Sequence, residues 1–295
     1  MTIPKQSSIR VLARRAVLKV VINASFVLEP LRLRVRRNAL DRACATSPLA
    51  DHEFDSCPPI LLLAVYRAKN ARFVEALLRQ VHPDADVRLW ALDQIAPELV
   101  SSTFGCGPGL RFVHLNWLYN VKPVAADAWL VLADDDVLFA KGSLVKTVRL
   151  MGQAGFSFAQ PGQSIFGWWT SLFNVARPLV VARDTNYVEQ GPLVIADPSF
   201  AKQILPLPEE NDMGWGIEAE WYRKKEGHFR IGVIDDCRIV HWNQNATSYA
   251  AAPEIEKMMQ RLANSGVDSL WQLQSVNGYW WKWQRRPAWR KRRLQ

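Results

Sequence analysis

The pattern of apolar and polar positions changes character at residue 60. Ile60-Leu61-Leu62-Leu63-Ala64-Val65 is a continuous apolar run, the signature of a strand buried on both faces. Residues 71–80 then place Phe73, Ala76, Leu77 and Gln80 at helical spacing, and 87–92 form a second apolar strand ending at Asp93. Gly105-Cys106-Gly107-Pro108-Gly109 reads as a loop, and 110–119 as a second helix with Phe112, Leu115 and Tyr119 on one side. Trp129–Ala133 is a third strand that runs straight into Asp134-Asp135-Asp136. Strand, helix, strand, helix, strand at this spacing predicts parallel strands joined by right-handed crossovers, an α/β domain. Ligands of such sheets gather at the carboxyl ends of the strands. Arg67, Asp93 and the acidic triplet all fall there.

Residues 156–245 are less regular. Leu193-Val194-Ile195 reads as a strand, Met213-Gly214-Trp215-Gly216 as a turn opening a helix over Ile217–Lys225, and Gly227 as its stop. Residues 231–234 and 238–240 read as two short strands, the second ending at His241. Ile255, Met258, Met259 and Leu262 recur at helical spacing and read as a core stripe. Upstream, a short basic amphipathic helix is expected before Pro30, then an alternation of Leu31, Leu33 and Val35 with Arg32, Arg34 and Arg36, then a polar linker over 41–58. The expected organisation is a basic extension and linker over 1–57, a catalytic domain over 58–250, and a C-terminal helix with a Trp/Arg-rich tail over 251–295.

Charge sharpens this division. The 295 residues carry a net +9, but residues 1–45 hold 10 basic and 2 acidic groups and residues 280–295 hold 7 basic and none acidic. The stretch between them is therefore net acidic, and the chain is not a basic domain built for a polyanion. Cys44, Cys57, Cys106 and Cys237 form no C-x-x-C pair, which argues against a disulfide scaffold or a cysteine-rich zinc site and fits a reducing cytoplasm. His82 and His114 have no metal-ligand spacing to a cysteine and read as structural or surface residues. Lys19 interrupts the first apolar run and no later stretch is long and uncharged enough to span a bilayer. A soluble or peripheral protein is expected, at the cytoplasmic face of a membrane.

The acidic triplet carries the strongest chemical signal. Three adjacent carboxylates repel one another unless a cation lies between them, and a hard oxygen-donor set suits Mg²⁺ or Mn²⁺. On an extended backbone Asp134 and Asp136 project to one side and Asp135 to the other, making a D-x-D clamp for a metal and a diphosphate. His241, at a strand end, offers a nitrogen to the same ion. Glu218 and Glu220 lie in the first turn of a helix, where the dipole favours carboxylates, and an ionised carboxylate beside an aromatic surface can act as general base. Two residues apart on a helix, they diverge and cannot share one role.

Asp134-Asp135-Asp136 after a strand, then Gly214-Trp215-Gly216-Ile217-Glu218, then a strand-end His241 resembles the GT-A-fold glycosyltransferases, in the galactosyltransferase-like branch. The resemblance covers roughly residues 60–245 and implies a Rossmann-like, mostly parallel central sheet flanked by helices. It implies a nucleotide-sugar donor, a UDP-sugar foremost, held through Mn²⁺ or Mg²⁺, with sugar transfer to a glycan or lipid-linked acceptor by inversion with Glu218 as general base. The branch has Asp after this glutamate where the chain has Ala219, so the role passes to Glu218 or Glu220, and Glu218 matches the motif. The resemblance further assigns Asp136 and His241 to the metal, Tyr66, Arg67, Asp93, Arg111, Asp134 and Asp135 to the donor, and Trp215 and Glu220 to the acceptor. It also likens Gly107-Pro108-Gly109, Arg111 and Asn116 to the glycine-rich entry of the helix before the D-x-D motif, and offers Trp168 and Trp169 for sugar stacking.

Two other classes compete: a metal-dependent nucleotidyltransferase or phosphohydrolase, and a non-catalytic carbohydrate-binding protein. The first does not account for Gly-Trp-Gly-x-Glu followed by a strand-end histidine; the second, which the tryptophans suit, predicts glycan binding with no dependence on nucleotide or metal. The C-terminal mixture of Tyr279, Trp280, Trp281, Trp283 and Trp289 with arginine points to an anionic membrane surface as partner rather than to nucleic acid.

Overall fold

The computed structural model describes residues 29–45, 57–209, 214–225, 229–243 and 251–289. The amphipathic helix expected before Pro30 and the stop at Gly227 lie outside these residues. The first strand, β1 (Ile60–Tyr66), is buried along its whole length, and its alternate side chains serve two cores. The helices that cover the sheet are α1 (Glu29–Ala45), α2 (Ala71–Leu78), α3 (Arg111–Asn120), α4 (Leu144–Ala154), α5 (Pro198–Ile204), α6 (Ile217–Lys225), α7 (Ala251–Asn264) and α8 (Leu270–Leu273). Leu61, Leu63 and Val65 pack with Phe112 and Leu115 of α3, Phe200 of α5 and Trp221 of α6. Ile60, Leu62, Ala64 and Tyr66 pack on the opposite face with Val74 and Leu77 of α2 and Val148 and Met151 of α4. The period-2 geometry of a strand thus accounts for the unbroken apolar run, and truncating Leu63 to alanine would cost about 2–5 kcal/mol.

The remaining strands are β2 (Asp86–Ala91), β3 (Thr103–Cys106), β4 (Trp129–Ala133), β5 (Val137–Lys141), β6 (Phe158–Gln163), β7 (Val180–Thr185), β8 (Leu193–Ala196), β9 (Ile231–His241) and β10 (Val276–Trp281). They form one sheet in the order β10-β7-β9-β6-β8-β4-β1-β2-β3, with β5 paired to β9. The expected α/β core is present: β4, β1, β2 and β3 are mutually parallel. Beyond β4 the sheet is mixed, with β8 antiparallel to β4 and β6, β7 antiparallel to β9 and β10, and β6 parallel to β9. Gly105 and Cys106, expected in a loop, belong to β3 at the sheet's end.

Four expectations need correction. The two strands expected at 231–234 and 238–240 are one strand, β9, with a register shift against β6 between Pro161 and Gly162. Asp235, between the two expected strands, lies within β9 with its carboxylate fully buried 2.8 Å from Arg183 Nε, and it accepts the Arg177 backbone N–H. The polar linker expected over 41–58 begins later, because α1 continues to Ala45. It lays Leu40 and Ala43 against Phe73 and Ala76 of α2 and Leu138 of β5. Arg32 and Arg36 are buried on the same side, with Arg32 over the Trp168 ring at 4.8 Å and Arg36 over the Trp242 ring at 4.9 Å. The Leu/Arg alternation is therefore helical, and two of its arginines face inward. The stripe expected to be core on α7 is only half covered, since Leu262 is buried but Ile255 and Met259 are 46% and 51% exposed.

At the other end, β10 pairs antiparallel with β7, and Trp280 is buried in the main core. Trp289 donates to the Ala154 carbonyl at 2.8 Å and stacks obliquely on Phe156. The Trp/Arg-rich segment is built into the fold as far as Trp289. No described helix is long and apolar enough to cross a membrane.

Candidate active site

Strand register assembles one cleft, of about 710 Å³, at the carboxyl ends of β1, β2 and β4. Parallel pairing of Ala64 with Ala133 brings the loop after β1 level with the acidic triplet. There the Arg67 backbone N–H donates to Asp135 Oδ2 at 2.8 Å. Antiparallel pairing of Val137 with His241 sets the imidazole beside Asp136, with Nε2 3.0 Å from Oδ1. Antiparallel pairing of Ala133 with Leu193 returns 189–192 to the triplet, and Asp134 donates its N–H to the Pro192 carbonyl at 2.8 Å. Gly191 permits this approach, since a Cβ there would lie 2.8 Å from Asp134 Oδ2. The triplet occupies the turn between β4 and β5, and all three carboxylates line the cleft, so the expected two-sided alternation does not apply.

Every carboxylate of the triplet has an electrostatic partner. Arg111, in the first turn of α3, spans Asp134 at 2.8 Å and Gln190 Oε1 at 2.8 Å. Burial raises the Asp134 carboxyl despite Arg111, and raises Asp135 to about 6 despite the Arg67 N–H. Burial would raise Asp136 as well, but the hydrogen bond and charge of His241, with the Asn243 N–H at 2.8 Å, hold it below the usual range. For His241, burial alone would lower the imidazole; the hydrogen bond and charge of Asp136, aided by Asp134 and Glu189, push it to about 9.

The far wall is built differently. Gly214 and Gly216 have φ of +75° and +88°, left-handed values that explain the glycines flanking Trp215. They turn the chain so that Trp215, Gly216 and Glu218 face the cleft. Glu218 is buried at the start of α6, and its oxygens accept the Gly216 N–H at 3.1 Å and the Gln190 N–H at 3.3 Å. Burial, with the charge of Glu189, raises it to about 7. Glu189 accepts from Gln163 at 2.8 Å, from Asn174 at 2.6 Å and from the Thr170 hydroxyl, and burial raises it too.

No protein family and no curated protein matches this sequence. The fold is similar to that of solved structures. These include GalNAc-T7 with UDP, GalNAc and Mn²⁺ (TM-score 0.49, 9% identity, covering 70% of this chain and 48% of that one). Others are S. aureus TarS 1-349 with UDP-GlcNAc (0.47, 12%, covering 72% and 66%) and the mannosyltransferase PcManGT from Pyrobaculum calidifontis with GDP-Man and Mn²⁺ (0.46, 11%, covering 88% and 83%). The chain spans about half the length of the first. Likenesses this distant concern the fold, and the chemistry rests on the residues of the cleft.

Of the residues expected at the site, Arg67, Arg111, Asp134, Asp135, Asp136, Trp215, Glu218 and His241 line this cleft, and Trp168 joins them. Tyr66, Asp93 and Glu220 do not. Tyr66 is buried, with its hydroxyl on Thr103 at 3.0 Å and accepting the Ala96 N–H at 3.2 Å, so it holds the loop after β2. Asp93 is exposed and accepts the N–H groups of Ala68 and Gln94, tying two strand-end loops together. Glu220 diverges around α6 to pair with Arg261 at 3.4 Å, as its spacing from Glu218 requires. Asn116 is also structural, exchanging hydrogen bonds with the Leu207 backbone. The residues not foreseen are Gln163, Thr170, Tyr187, Glu189 and Gln190. One signal was available: an antiparallel strand beginning at Leu193 puts the residues before it at the carboxyl ends of its parallel neighbours.

A divalent cation fits the donor set. Asp136 Oδ1 and His241 Nε2 share a hydrogen bond at 3.0 Å, and an ion taking both atoms would displace the proton between them. Among the described residues no three His, Cys, Asp or Glu groups form a ready cage. An ion of this class, held by one or two carboxylates plus substrate phosphates, needs none.

Proposed function

We propose that this chain is a GT-A-type glycosyltransferase that moves a sugar from a nucleotide-sugar donor to a glycan or lipid-linked hydroxyl. The observation that carries this reading is one cleft holding a charge-compensated acidic triplet and, opposite in character, a buried carboxyl raised to about 7. Asp136 and His241 hold the ion, with Asp134 and Asp135 beside it, and Arg111 and Arg67 meet the donor's diphosphate and nucleoside. A bound Mn²⁺ or Mg²⁺ supplies charge neutralisation for the departing nucleoside diphosphate.

The protein's own part is orientation and proton transfer. Trp215 offers a ring face to the acceptor sugar. Glu218 takes the proton of the acceptor hydroxyl as it attacks the anomeric carbon, giving inversion. Glu218 suits this better than Glu189, because both Glu189 oxygens are occupied by side-chain donors. Glu218 holds only two long backbone bonds and keeps lone pairs for a hydroxyl. A pKa near neutrality matches a general base to its task.

The test is turnover of UDP-, GDP- and CMP-sugars with Mn²⁺ on a panel of sugar acceptors. Acceptor-dependent transfer supports the reading. Pyrophosphate release or donor hydrolysis alone would make the cleft a nucleotidyltransferase or phosphohydrolase, and glycan binding indifferent to nucleotide and metal would make it a lectin-like site.

A further inference from the structure

Leu179 is the only non-glycine residue among those described with a left-handed backbone, at φ +63°. Such strain persists only where the surroundings hold it, and an observed outlier of this kind points to use. Leu179 gains no core in exchange, because it is 60% exposed. It is held by the turn after β10: Lys282 donates its N–H to the Leu179 carbonyl at 3.0 Å, and Trp281 and Gln284 bond each other in both directions at 2.9 Å. Trp283 forms the tip of that turn at 68% exposure, higher than any other large apolar residue described. It stacks on Trp281 at 4.9 Å, which stacks on Tyr279 at 5.0 Å. Trp280 points the other way, into the core. The result is a rigid apolar knuckle on the last strand of the sheet.

Basic groups surround it. Arg177 lies over the Tyr279 ring at 5.4 Å, Lys282, Arg285 and Arg286 are exposed, and the sequence continues through Arg290, Lys291, Arg292 and Arg293. Asp236 beneath the turn is neutralised by Lys141, Lys146 and Lys282. We propose that the knuckle is a docking surface for a bilayer with anionic headgroups. Leu179 and Trp283 enter the headgroup boundary while the arginines meet lipid phosphates. A glycan or a nucleic-acid base would need open ring faces, and here Trp281 is sandwiched between its neighbours.

Sedimentation of the full chain with phosphatidylcholine vesicles, with and without phosphatidylglycerol, tests this. Two variants accompany it: Leu179→Gly with Trp283→Ser, in which glycine relieves the strained backbone, and Arg285→Gln with Arg286→Gln. The expected result is binding to phosphatidylglycerol vesicles only, with a blue shift of tryptophan emission. Each variant should weaken binding about tenfold or more while melting no lower than the wild type. Wild-type binding to neutral vesicles alone, equal binding by both variants, or a dimer that the first variant splits in light scattering would overturn it. This test is independent of the cleft, so its failure leaves the transferase assignment standing.

Discussion

The two acidic walls of the cleft contain the same functional group, buried in both, but only the first meets charged side chains. Asp134, Asp135 and Asp136 are met by a guanidinium, a backbone N–H and an imidazolium respectively. Glu189 and Glu218 are met only by neutral donors, and both are raised by burial. In the first, only Asp136 is held below the usual range, by His241; burial raises Asp134 and Asp135, the latter to about 6, so this wall needs a further cation to be fully ionised. The second keeps a carboxyl poised between its two protonation states, as proton transfer requires. The difference follows from topology. The triplet lies where β4 meets β1 and β5, whose neighbouring segments supply cations and amides, whereas the glutamates lie where a glycine-flanked turn and α6 close a drier wall.

If the walls have these roles, the largest effect comes from the charged one. Asp136→Ala removes both an ion ligand and the partner of His241. Transfer should fall by about a thousandfold or more, and a chelator should do the same to the wild type. Binding of the nucleoside diphosphate, measured by calorimetry with Mn²⁺, should be lost together with activity. Nucleotide binding that survives this substitution with full transfer would break the comparison at its first term.

The next effect separates the walls. Glu218→Gln keeps the shape and one of the two backbone hydrogen bonds but cannot accept a proton, so kcat should drop by roughly 10²–10⁴ while nucleotide and Mn²⁺ affinity stay unchanged. Glu189→Gln should cost far less in kcat. If the two glutamates exchange these outcomes, the base is Glu189 and the assignment is reversed.

How far the sequence revealed this follows the same division. β1, β4 and α6 were legible, β4 and α6 to their end residues, because buried parallel strands and a glycine-opened helix leave strong local patterns. The triplet, Glu218 and His241 were legible because each ends or opens such an element. Glu189 and Gln190 were not, since they reach the cleft only through the antiparallel pairing of β8 with β4, a non-local fact. Asp235 was left between the two strands read from the sequence, and only its pairing with Arg183 across the sheet makes it a core residue. The burial of Arg32 and Arg36 was not legible because Trp168 and Trp242, which cover them, are distant in sequence.

A smaller effect sharpens the comparison through pH. Glu218 must be ionised to accept a proton, and its carboxyl is raised to about 7. Below that pH kcat/KM should fall about tenfold per unit, and above it the limb should level off. In Glu218→Gln the residual rate should lack this limb. A wild-type limb near the ordinary carboxylate range would mean that the glutamate wall is not the proton acceptor.

The smallest effect is on stability, where the walls should differ in sign. Glu218 binds its proton more tightly when folded, at about 7, than in an ordinary environment at 4.5. Its contribution is therefore fully present below the lower value and is lost as pH rises through the higher one, by up to roughly 3 kcal/mol. Glutamine has nothing to lose over that interval. Between pH 5 and pH 8 the Tm of Glu218→Gln should thus rise relative to wild type, by roughly 5 °C for a domain of this size. Asp136→Asn should instead melt below wild type at both pH values, because it leaves the buried His241 imidazolium without its counter-charge. A catalytic carboxyl held in a dry wall costs the fold stability at the pH where it works, whereas a paired one supports the fold. If both variants shift in the same direction between pH 5 and pH 8, the two walls are not electrostatically distinct.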